Sequence, residues 1–521
     1  MFEVLSSYIY IPLLLAGFVY VVGRSGRVWR EGLPPGPRGL PFVGSALQMP
    51  RVHPERTFAI WAKEYGDLMY AEIFGNRIII INSQKIAHDL LERRGAKYSD
   101  RPRMVTLVEL LGWEPTLTTL QYGTESFRKH RKWIQGAFGE SKAVQSLDTE
   151  RQREVCIFLL GLMETPDDFP LHIRRYVTGL VVEAVYGHRI TSLEDQYVTL
   201  MDRAMEATAA TGMVAGALVD LLPFLQYVPS WMPGAAFKRA ALHARKLVWE
   251  GHHVPYRMVR DAVMSGNAPP SFTSSLIESA EKAGRLHEEE RDIIGAAGVI
   301  YGAATDTTKT VLLTFILAMV LHPEVCAKAQ EEVTRVIGRN RLPTIEDRPN
   351  LPYIDCVLKE TYRWNSPVPL VSGAPHHITN ECDEYDGYRI PKHTTVVTNL
   401  WSICKDERIW EDPDNFRPER FLAKNAIGTE ELDPRNVVFG HGRRLCPGRQ
   451  FADTTLFLAI ANIAATLDIG NARDVDGREI TPEASFAPSF ISYPQDFRCA
   501  ITLRSEAWRD IVMEALTRLP A

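Results

Sequence analysis

The first stretch of the chain is apolar and carries no charge. It runs from Val4 to Val22, 19 residues, and as a helix it would be roughly 28 Å long, close to the thickness of a bilayer's hydrocarbon layer. Arginines follow at positions 24, 27 and 30, and basic residues mark the cytosolic end of a membrane helix. A cleaved signal peptide would instead carry its positive charge before the apolar run. We therefore expect a transmembrane anchor at residues 1–23, a basic and proline-rich hinge at 24–41, and a cytosolic domain at 42–521.

Strand signals come first after the hinge. The segment Leu68–Ile81 alternates and is rich in β-branched residues around Gly75-Asn76, which predicts a hairpin. Ser83 is placed to cap a helix that we expect to end near Gly95.

Helical periodicity dominates the centre of the chain. It extends from Gly123 to Trp364, interrupted by Met264–Glu290, whose prolines, serines and charges predict an exposed connection between helices. Short strand-like runs return later, at Tyr388–Ile390 and Thr394–Val397, and a small sheet is expected around Phe497–Leu503. The pattern as a whole predicts a mainly α fold with small β-sheets.

One apolar run in the centre is long enough to cross a membrane. It covers Asp292–Leu321, but its middle, Thr305–Thr310, is polar and contains Asp306 and Lys309. Charges are costly at mid-bilayer, whereas the core helix of a large domain can direct them into a pocket. We therefore expect a buried central helix.

Composition and charge narrow the class of protein. The chain has 521 residues, of which 45% are hydrophobic, and a net charge of −5, without the basic excess of a nucleic-acid-binding protein. Its seven cysteines are widely spaced and include no C-x-x-C pair. A disulfide framework or a zinc ribbon is therefore not expected.

A glycine-rich loop with one cysteine carries the clearest chemistry. It runs Phe439-Gly-His-Gly-Arg-Arg-Leu-Cys-Pro-Gly448, and a helical pattern starts directly after it. Amide groups and the positive end of a helix dipole stabilise a thiolate there, and glycines let the backbone approach a flat ligand. The loop suits an axial metal ligand at Cys446, although an isolated cysteine beside a glycine turn is more often an ordinary buried residue.

The loop resembles the haem-ligand signature of the cytochrome P450 family, Phe-x-x-Gly-x-Arg-x-Cys-x-Gly. The matching residues are Phe439, Gly442, Arg444, Cys446 and Gly448. Further blocks follow the family's order, so that the resemblance covers about residues 33–505. It implies the P450 fold, haem b as cofactor, and Cys446 as the axial ligand of the haem iron.

Two other blocks resemble the family's structural motifs. Glu360-Thr-Tyr-Arg363 is similar to its Glu-x-x-Arg helix, and Phe416–Phe421 to the meander segment that here contains Arg420. Alone, a glutamate and an arginine three residues apart usually form a solvated pair worth a few tenths of a kcal/mol. The resemblance implies instead a buried network of Glu360, Arg363 and Arg420 that serves folding and the placing of the haem loop.

The polar centre of the long helix resembles the family's oxygen-activation motif. It runs Ala303-Ala-Thr-Asp-Thr-Thr308, and the resemblance implies that Asp306 and Thr307 are the acid and alcohol that deliver protons. The alternative is that the threonine hydroxyls bond back to their own helix. Ala304 stands where the family usually has glycine, so we expect a narrower or differently shaped local opening of the helix.

Haem has two propionates, which need cationic or hydrogen-bonding partners in a mostly apolar slot. By resemblance we expect Arg131, His376 and Arg444 to provide them. Phe127 stands where the family commonly has tryptophan. Because the indole donor is lost, Arg131 is expected to carry more of this pairing.

The substrate pocket and the electron donor are also implied by the resemblance. The expected lining is apolar, which favours a lipophilic small molecule, although the same residues could be ordinary core. Residues 221–233 are expected to dip into the membrane as an access lip. The pocket residues are Val299, Ile300, Ala303, Val368, Val371, Phe490 and Ile491.

No flavin or nicotinamide fingerprint is present, so electrons must come from a partner protein. The family resemblance implies NADPH-cytochrome P450 reductase, with cytochrome b5 as an optional second donor. The basic run Arg128–Lys132, with Arg443 and Arg449, is expected to steer an acidic donor to this side of the molecule.

The resemblance thus implies a haem-thiolate monooxygenase that inserts one oxygen atom from O2 into a lipophilic molecule. Its anchor would cross the endoplasmic reticulum membrane once, with the catalytic domain in the cytosol. Blocks such as Leu111-Gly-Trp113 resemble fungal members that make terpenoids, polyketides or indolic metabolites. Two alternatives stay open: a reductase-independent haem-thiolate isomerase or dehydratase, and a non-catalytic membrane haem-binding protein.

Overall fold

The computed structural model describes residues 32–50, 52–113, 115–211, 217–370, 377–422 and 433–519. The expected anchor at 1–23 and the first part of the hinge lie outside these ranges, as do Val371 and His376.

Helices of ten or more residues form the frame of the described part. In chain order they are α1 (Pro54–Tyr65), α2 (Glu125–Phe138), α3 (Asp148–Glu164), α4 (Phe169–Tyr186), α5 (Gln196–Thr211), α6 (Ala236–Met264), α7 (Phe272–Lys282), α8 (Leu286–Leu321), α9 (Pro323–Ile337), α10 (Pro352–Trp364), α11 (Arg449–Thr466) and α12 (Ala507–Arg518). Shorter α-helices cover Gln84–Ala87, Gly95–Tyr98, Ser141–Gln145, Ala217–Leu221, Leu400–Cys404 and Arg435–Val438.

The strands form three small sheets. They are β1 (Leu68–Ile73), β2 (Asn76–Ile81), β3 (His377–Ile378), β4 (Asp383–Tyr385), β5 (Tyr388–Ile390), β6 (Thr395–Thr398), β7 (Leu467–Arg473), β8 (Glu479–Ile480) and β9 (Cys499–Leu503). The sheet orders are β1-β2-β6-β3, β4-β5 and β8-β7-β9. The hairpin is confirmed, with Ile73 paired to Asn76 at the turn. The prediction of a mainly α fold with small sheets is also confirmed.

The central helix α8 is buried. Among the described residues it is the one helix long and apolar enough to cross a membrane, yet 67% of its most apolar window lies inside the protein. It packs against α2, α4, α7, α10 and α11. The prediction of a core helix is confirmed, and α8 is continuous through Ala304, without a break at the polar motif.

The prediction of an exposed connection over Met264–Glu290 is wrong, because this segment contains α7. Ser271 and Ser274 form a reciprocal cap at its start, which satisfies two backbone donors. Phe272 and Ile277 are buried on the face toward α4 and α8. The charges that suggested a loop occupy the outer face of a short amphipathic helix.

The helix expected after Ser83 is also shorter than predicted. It covers Gln84–Ala87, and the Ser83 side chain makes no cap hydrogen bond. The chain then widens into a π-helical turn at His88–Arg93 and starts another helix at Gly95. The turn brings the carbonyl of Leu91 against the cysteine loop.

Candidate active site

The cysteine loop is held by its own backbone. The Cys446 N–H donates to the Phe439 carbonyl at 2.9 Å, and the Leu445 N–H donates to the Gly442 carbonyl at 3.1 Å. Gly442 has a φ of +59°, and a Cβ there would lie 1.9 Å from the Leu91 oxygen. Only glycine therefore fits this position. Helix α11 begins at Arg449, directly after Gly448.

The surroundings of Cys446 set the protonation of its thiol. Cys446 is exposed to solvent, although protein atoms are densely packed around its thiol. This burial raises the pKa of the thiol, and the Gly448 N–H and the charges of Arg131 and Arg449 only partly oppose it. The protein groups alone thus leave a neutral thiol at pH 7. A bound iron cation would have to displace the proton, as metals do with coordinating thiols.

Arg444 lies in a slot of backbone carbonyls. Its guanidinium donates to the carbonyl oxygens of Ser99, Leu117 and Leu120 at 2.8–3.1 Å. It also stacks over the Phe127 ring, 4.2 Å from the ring centre. Burial lowers the pKa of Arg444 to about 10, so the group remains charged at neutral pH.

Arg131 contacts the cysteine loop itself. Its Nη1 donates to the Leu445 carbonyl. Burial lowers the pKa of Arg131, and the nearby Cys446 opposes that shift. Arg131 thus contacts the residue that precedes Cys446. Its neighbours Arg128 and Lys132 on α2 are exposed.

The structure adds three residues that the motifs did not identify. Arg101 is 5% exposed, and its Nε donates to the Thr118 carbonyl at 3.0 Å. His377 is buried, and its Nδ1 lies 2.6 Å from the Tyr98 carbonyl. The buried Nε2 of His441 has no hydrogen-bond partner. The signals were the Asp-Arg-Pro sequence at 100–102 and the second histidine of His376-His377.

These groups form a cationic cradle, defined by Arg101, Arg444, His377 and His441. Burial first, and then the charge of Arg444, lower the pKa of Arg101. Burial, followed by Arg101, likewise lowers the pKa of His377. Two buried arginines whose charges repel each other favour an anionic ligand, and His377 stands beside them as a neutral side chain. A cofactor with two carboxylates beside a cysteine fits this donor set, so the residues present fit haem.

The Glu-x-x-Arg residues lie together with the meander. Two Arg363 nitrogens donate to the two Glu360 oxygens at 2.8 Å, with both side chains 0% exposed. Arg420 Nε lies 3.2 Å from Glu360 Oε1. Arg363 also donates to the carbonyls of Cys404 and Pro413, which ties α10 to the segment before the cysteine loop.

The acid and the alcohol occupy neighbouring positions on α8. Thr307 Oγ1 donates to the Ala303 carbonyl at 2.8 Å, the back-bonding arrangement that the sequence left open as an alternative. Asp306 Oδ1 accepts from Lys309 Nζ at 2.7 Å. Ala303 is exposed and Thr307, one turn later, is half-buried, so other side chains leave this face of α8 partly uncovered.

The other expected pocket segments converge on α8. The Ser492 N–H donates to the Pro367 carbonyl at 2.9 Å, which puts the Phe490-Ile491 turn next to Val368. The Asn365 side-chain amide donates to the Ser492 carbonyl at 2.7 Å and to Thr314 Oγ1 of α8 at 3.1 Å. Val299 and Ile300 are buried one turn before Ala303.

Comparison with known proteins gives a consistent result. A family model described as Cytochrome P450 matches residues 34–487. Cytochrome P450 monooxygenase 136 of Postia placenta is 40% identical over 510 residues, covering 96% of each chain. Cytochrome P450 monooxygenase claR of Ampulloclitocybe clavipes is 38% identical over 499 residues, covering 95% of this chain and 90% of the relative. Cytochrome P450 monooxygenase COX2 of Coprinopsis cinerea is 36% identical over 508 residues, covering 97% and 96%.

Proposed function

The chain belongs to the cytochrome P450 family and is a monooxygenase, and on that premise we propose that it oxidises a lipophilic molecule of fungal secondary metabolism. In the proposed reaction the substrate C–H, O2, two electrons and two protons give the alcohol and water; repetition gives a carbonyl or acid. The electrons come from NADPH through NADPH-cytochrome P450 reductase, with cytochrome b5 as an optional second donor. The observation that carries the proposal is the cationic cradle beside Cys446.

In the proposed cofactor site, the cysteine loop binds the iron and cationic residues bind the propionates. Haem, when bound, supplies the iron that activates oxygen and stores electrons. Cys446 would ligate the iron, and Phe439, Gly442 and Gly448 shape its loop. Arg444, Arg101 and Arg131 would hold the propionates. We keep His376 in the same proposed set, although it lies outside the described residues.

Proton delivery is the proposed task of Asp306 and Thr307. The Thr307 hydroxyl already has the Ala303 carbonyl as acceptor, so its oxygen is free to accept a hydrogen bond from water or substrate. Asp306, the preceding residue, can pass a proton to that hydroxyl and take another from solvent. The acid and alcohol would thereby keep water ordered on one side of α8.

We predict that Thr307→Val diverts at least about tenfold more of the consumed NADPH into hydrogen peroxide. Valine keeps the shape but removes the hydroxyl that orders the proton path. Haem content and substrate affinity should stay within about twofold. Thr310→Val is the matched control, because Thr310 Oγ1 makes the same kind of back-bond, to the Asp306 carbonyl at 2.8 Å. Fully coupled product formation in Thr307→Val would contradict the relay.

The substrate class follows from the apolar lining. The proposed lining residues are Val299, Ile300, Ala303, Val368, Val371, Phe490 and Ile491. Access from the membrane is consistent with Phe224, Tyr227 and Trp231, which are 63%, 74% and 80% exposed. Exposed aromatic side chains of this kind favour a membrane surface. We propose that they dip into the endoplasmic reticulum membrane beside the N-terminal anchor.

The proposed donor site is the exposed basic face of α2. Arg128 and Lys132 are exposed one turn apart, while His130 between them is buried. Arg443 is exposed on the neighbouring cysteine loop, where it lies over the Tyr122 ring. Because Arg131 on the same helix contacts the cysteine loop, a donor bound here would be close to the cofactor.

We predict that Arg128→Glu with Lys132→Glu raises the KM for the reductase about tenfold at low salt, because the reversed charges repel an acidic donor. Turnover at saturating reductase should be unchanged. Lys246→Glu with Lys282→Glu makes the same change in net charge on exposed positions elsewhere. Equal KM values for the two double variants would contradict this donor site, as would an effect that high salt does not weaken.

The function is tested by expressing the full chain with a fungal-type reductase and profiling products from a panel of terpenes, aromatic polyketides and indoles. Oxygen- and NADPH-dependent hydroxylation of a panel member supports the proposal. Activity on a hydroperoxide without reductase would favour the isomerase or dehydratase alternative. Haem binding without any turnover would favour the non-catalytic one.

A further inference from the structure

A small polar cavity lies behind α8, on the side away from Ala303 and Thr307. Its volume is about 30 Å³, enough for one or two ordered water molecules. Helices α4 and α5 close it from the other side. Seven polar residues line it: Arg174, Thr178, Asp202, Tyr301, Thr305, Asp306 and Lys309.

Asp306 lies at the boundary between this cavity and the opposite face of α8. A helix turns by about 100° per residue, so Ala303 and Thr307 share one face, and Tyr301 and Thr305 share the opposite one. Asp306 falls between the two faces. Its carboxylate can therefore contact the cavity while it remains next to Thr307 in the chain.

Lys309 fixes the carboxylate in this position. Its Nζ lies 2.7 Å from Asp306 Oδ1, and both side chains are partly exposed, at 28% and 38%. Lys309 lies further round the helix toward the cavity than Asp306 does. The ion pair therefore draws the carboxylate toward the cavity.

A second set of charged residues, Asp202 and Arg174, forms the far wall of the cavity. Tyr301 Oη donates to Asp202 Oδ1 at 2.8 Å, and Arg174 donates to the other oxygen of Asp202. Burial and the neighbouring Asp202 raise the pKa of Tyr301, so the phenol keeps its proton. Arg174 is 38% exposed, which connects this wall to solvent. The walls thus offer donors and acceptors on both sides, as a buried water requires.

We propose that this cavity holds the water from which Asp306 takes protons, and that Lys309 is a positioning residue that keeps Asp306 in contact with it. The proposal rests on the proposed proton role of Asp306. A proton passes from the cavity water to the carboxylate and onward to the Thr307 side, and solvent entering past Arg174 replaces it. This proton transfer needs no electrons of its own; the electrons of the oxidation come only from the reductase already named.

The first test replaces the lysine. Lys309→Met should lower coupled product formation about tenfold and raise its solvent deuterium isotope effect, because proton supply becomes slower. Substrate affinity and haem content should stay within about twofold, and Lys309→Arg should restore most of the rate. Lys328→Met is the matched control, because its Nζ also lies 2.7 Å from a carboxylate, that of Glu419, away from α8.

The second test does not depend on turnover. A high-resolution crystal structure of the holoenzyme should show ordered water within hydrogen-bond distance of Asp306 in this cavity. Tyr301→Phe should displace that water and reproduce the isotope effect. Tyr353→Phe, which removes another hydroxyl that donates to a carboxylate at 2.8 Å, should do neither.

The outcomes separate the two proposals. A dry cavity, or a wild-type isotope effect in both Lys309→Met and Tyr301→Phe, overturns the cavity proposal. If Asp306→Asn is impaired while those two variants are not, the relay stands and only its supply route is wrong. If Asp306→Asn itself behaves as wild type, the proton role of Asp306 fails, and the cavity proposal fails with it.

Discussion

Cys446→Ala is expected to abolish the thiolate signature of the ferrous carbon-monoxide difference spectrum and to reduce monooxygenase turnover to background. Alanine supplies no ligand atom, and the loop Phe439–Gly448 contains no other cysteine that could replace Cys446. Haem should still bind, more weakly, because Arg444 and Arg101 remain to pair with its propionates. The measurement is the spectrum of purified protein, with haem content determined separately.

A matched control uses the other exposed cysteine. Cys382 is accessible like Cys446, but its sulfur only accepts a long hydrogen bond from the Lys392 N–H at 3.4 Å. Cys382→Ala should keep the wild-type spectrum. An unchanged thiolate signal in Cys446→Ala would refute Cys446 as the ligand. Loss of the signal in both variants would point to general misfolding.

The charges beside Cys446 also bear on iron ligation. Because burial raises the pKa of the Cys446 thiol, ligation must release a proton. Arg131 and Arg449, whose charges favour the thiolate, should therefore assist iron binding even though they do not generate the thiolate alone.

The parts of the site that could be predicted are those whose residues lie close together in the sequence. The haem loop and the Glu360–Arg363 pair each lie within about ten residues of chain, so one element places their side chains. Arg101 and His377 were not predicted, because their role depends on the backbone of distant segments. The carbonyls of Thr118 and Tyr98 hold them, and no local pattern encodes that meeting.

The wrong predictions about the fold have the same origin. Helix α7 is short and flanked by polar, proline-containing sequence, so its apolar face became evident only once α4 and α8 covered it. The pairing of β2 with β6 joins residues more than 300 positions apart. By contrast, the hairpin β1-β2 and the long α8 follow from continuous periodicity and were predicted correctly.

Arg363→Met is expected to destabilise the fold by about 3–5 kcal/mol, the largest stability effect that we predict. Methionine preserves much of the volume but leaves the Glu360 carboxylate buried, with Arg420 and the Arg417 N–H as its remaining partners. It also removes the donors to the Cys404 and Pro413 carbonyls. Because those contacts tie α10 to the segment that leads to the cysteine loop, haem retention should fall together with stability.

The surface pair Arg341–Asp347 is the matched control for this prediction. It is also bidentate, with both N–O distances at 2.7 Å, but the arginine side chain is 51% exposed. Arg341→Met should cost at most about 1 kcal/mol, since water replaces the lost partner. Calorimetric melting and haem content of the holoproteins measure both effects. Equal melting temperatures for the two variants would show that burial does not set the strength of the Glu360–Arg363 network, and would contradict its proposed role in placing the haem loop.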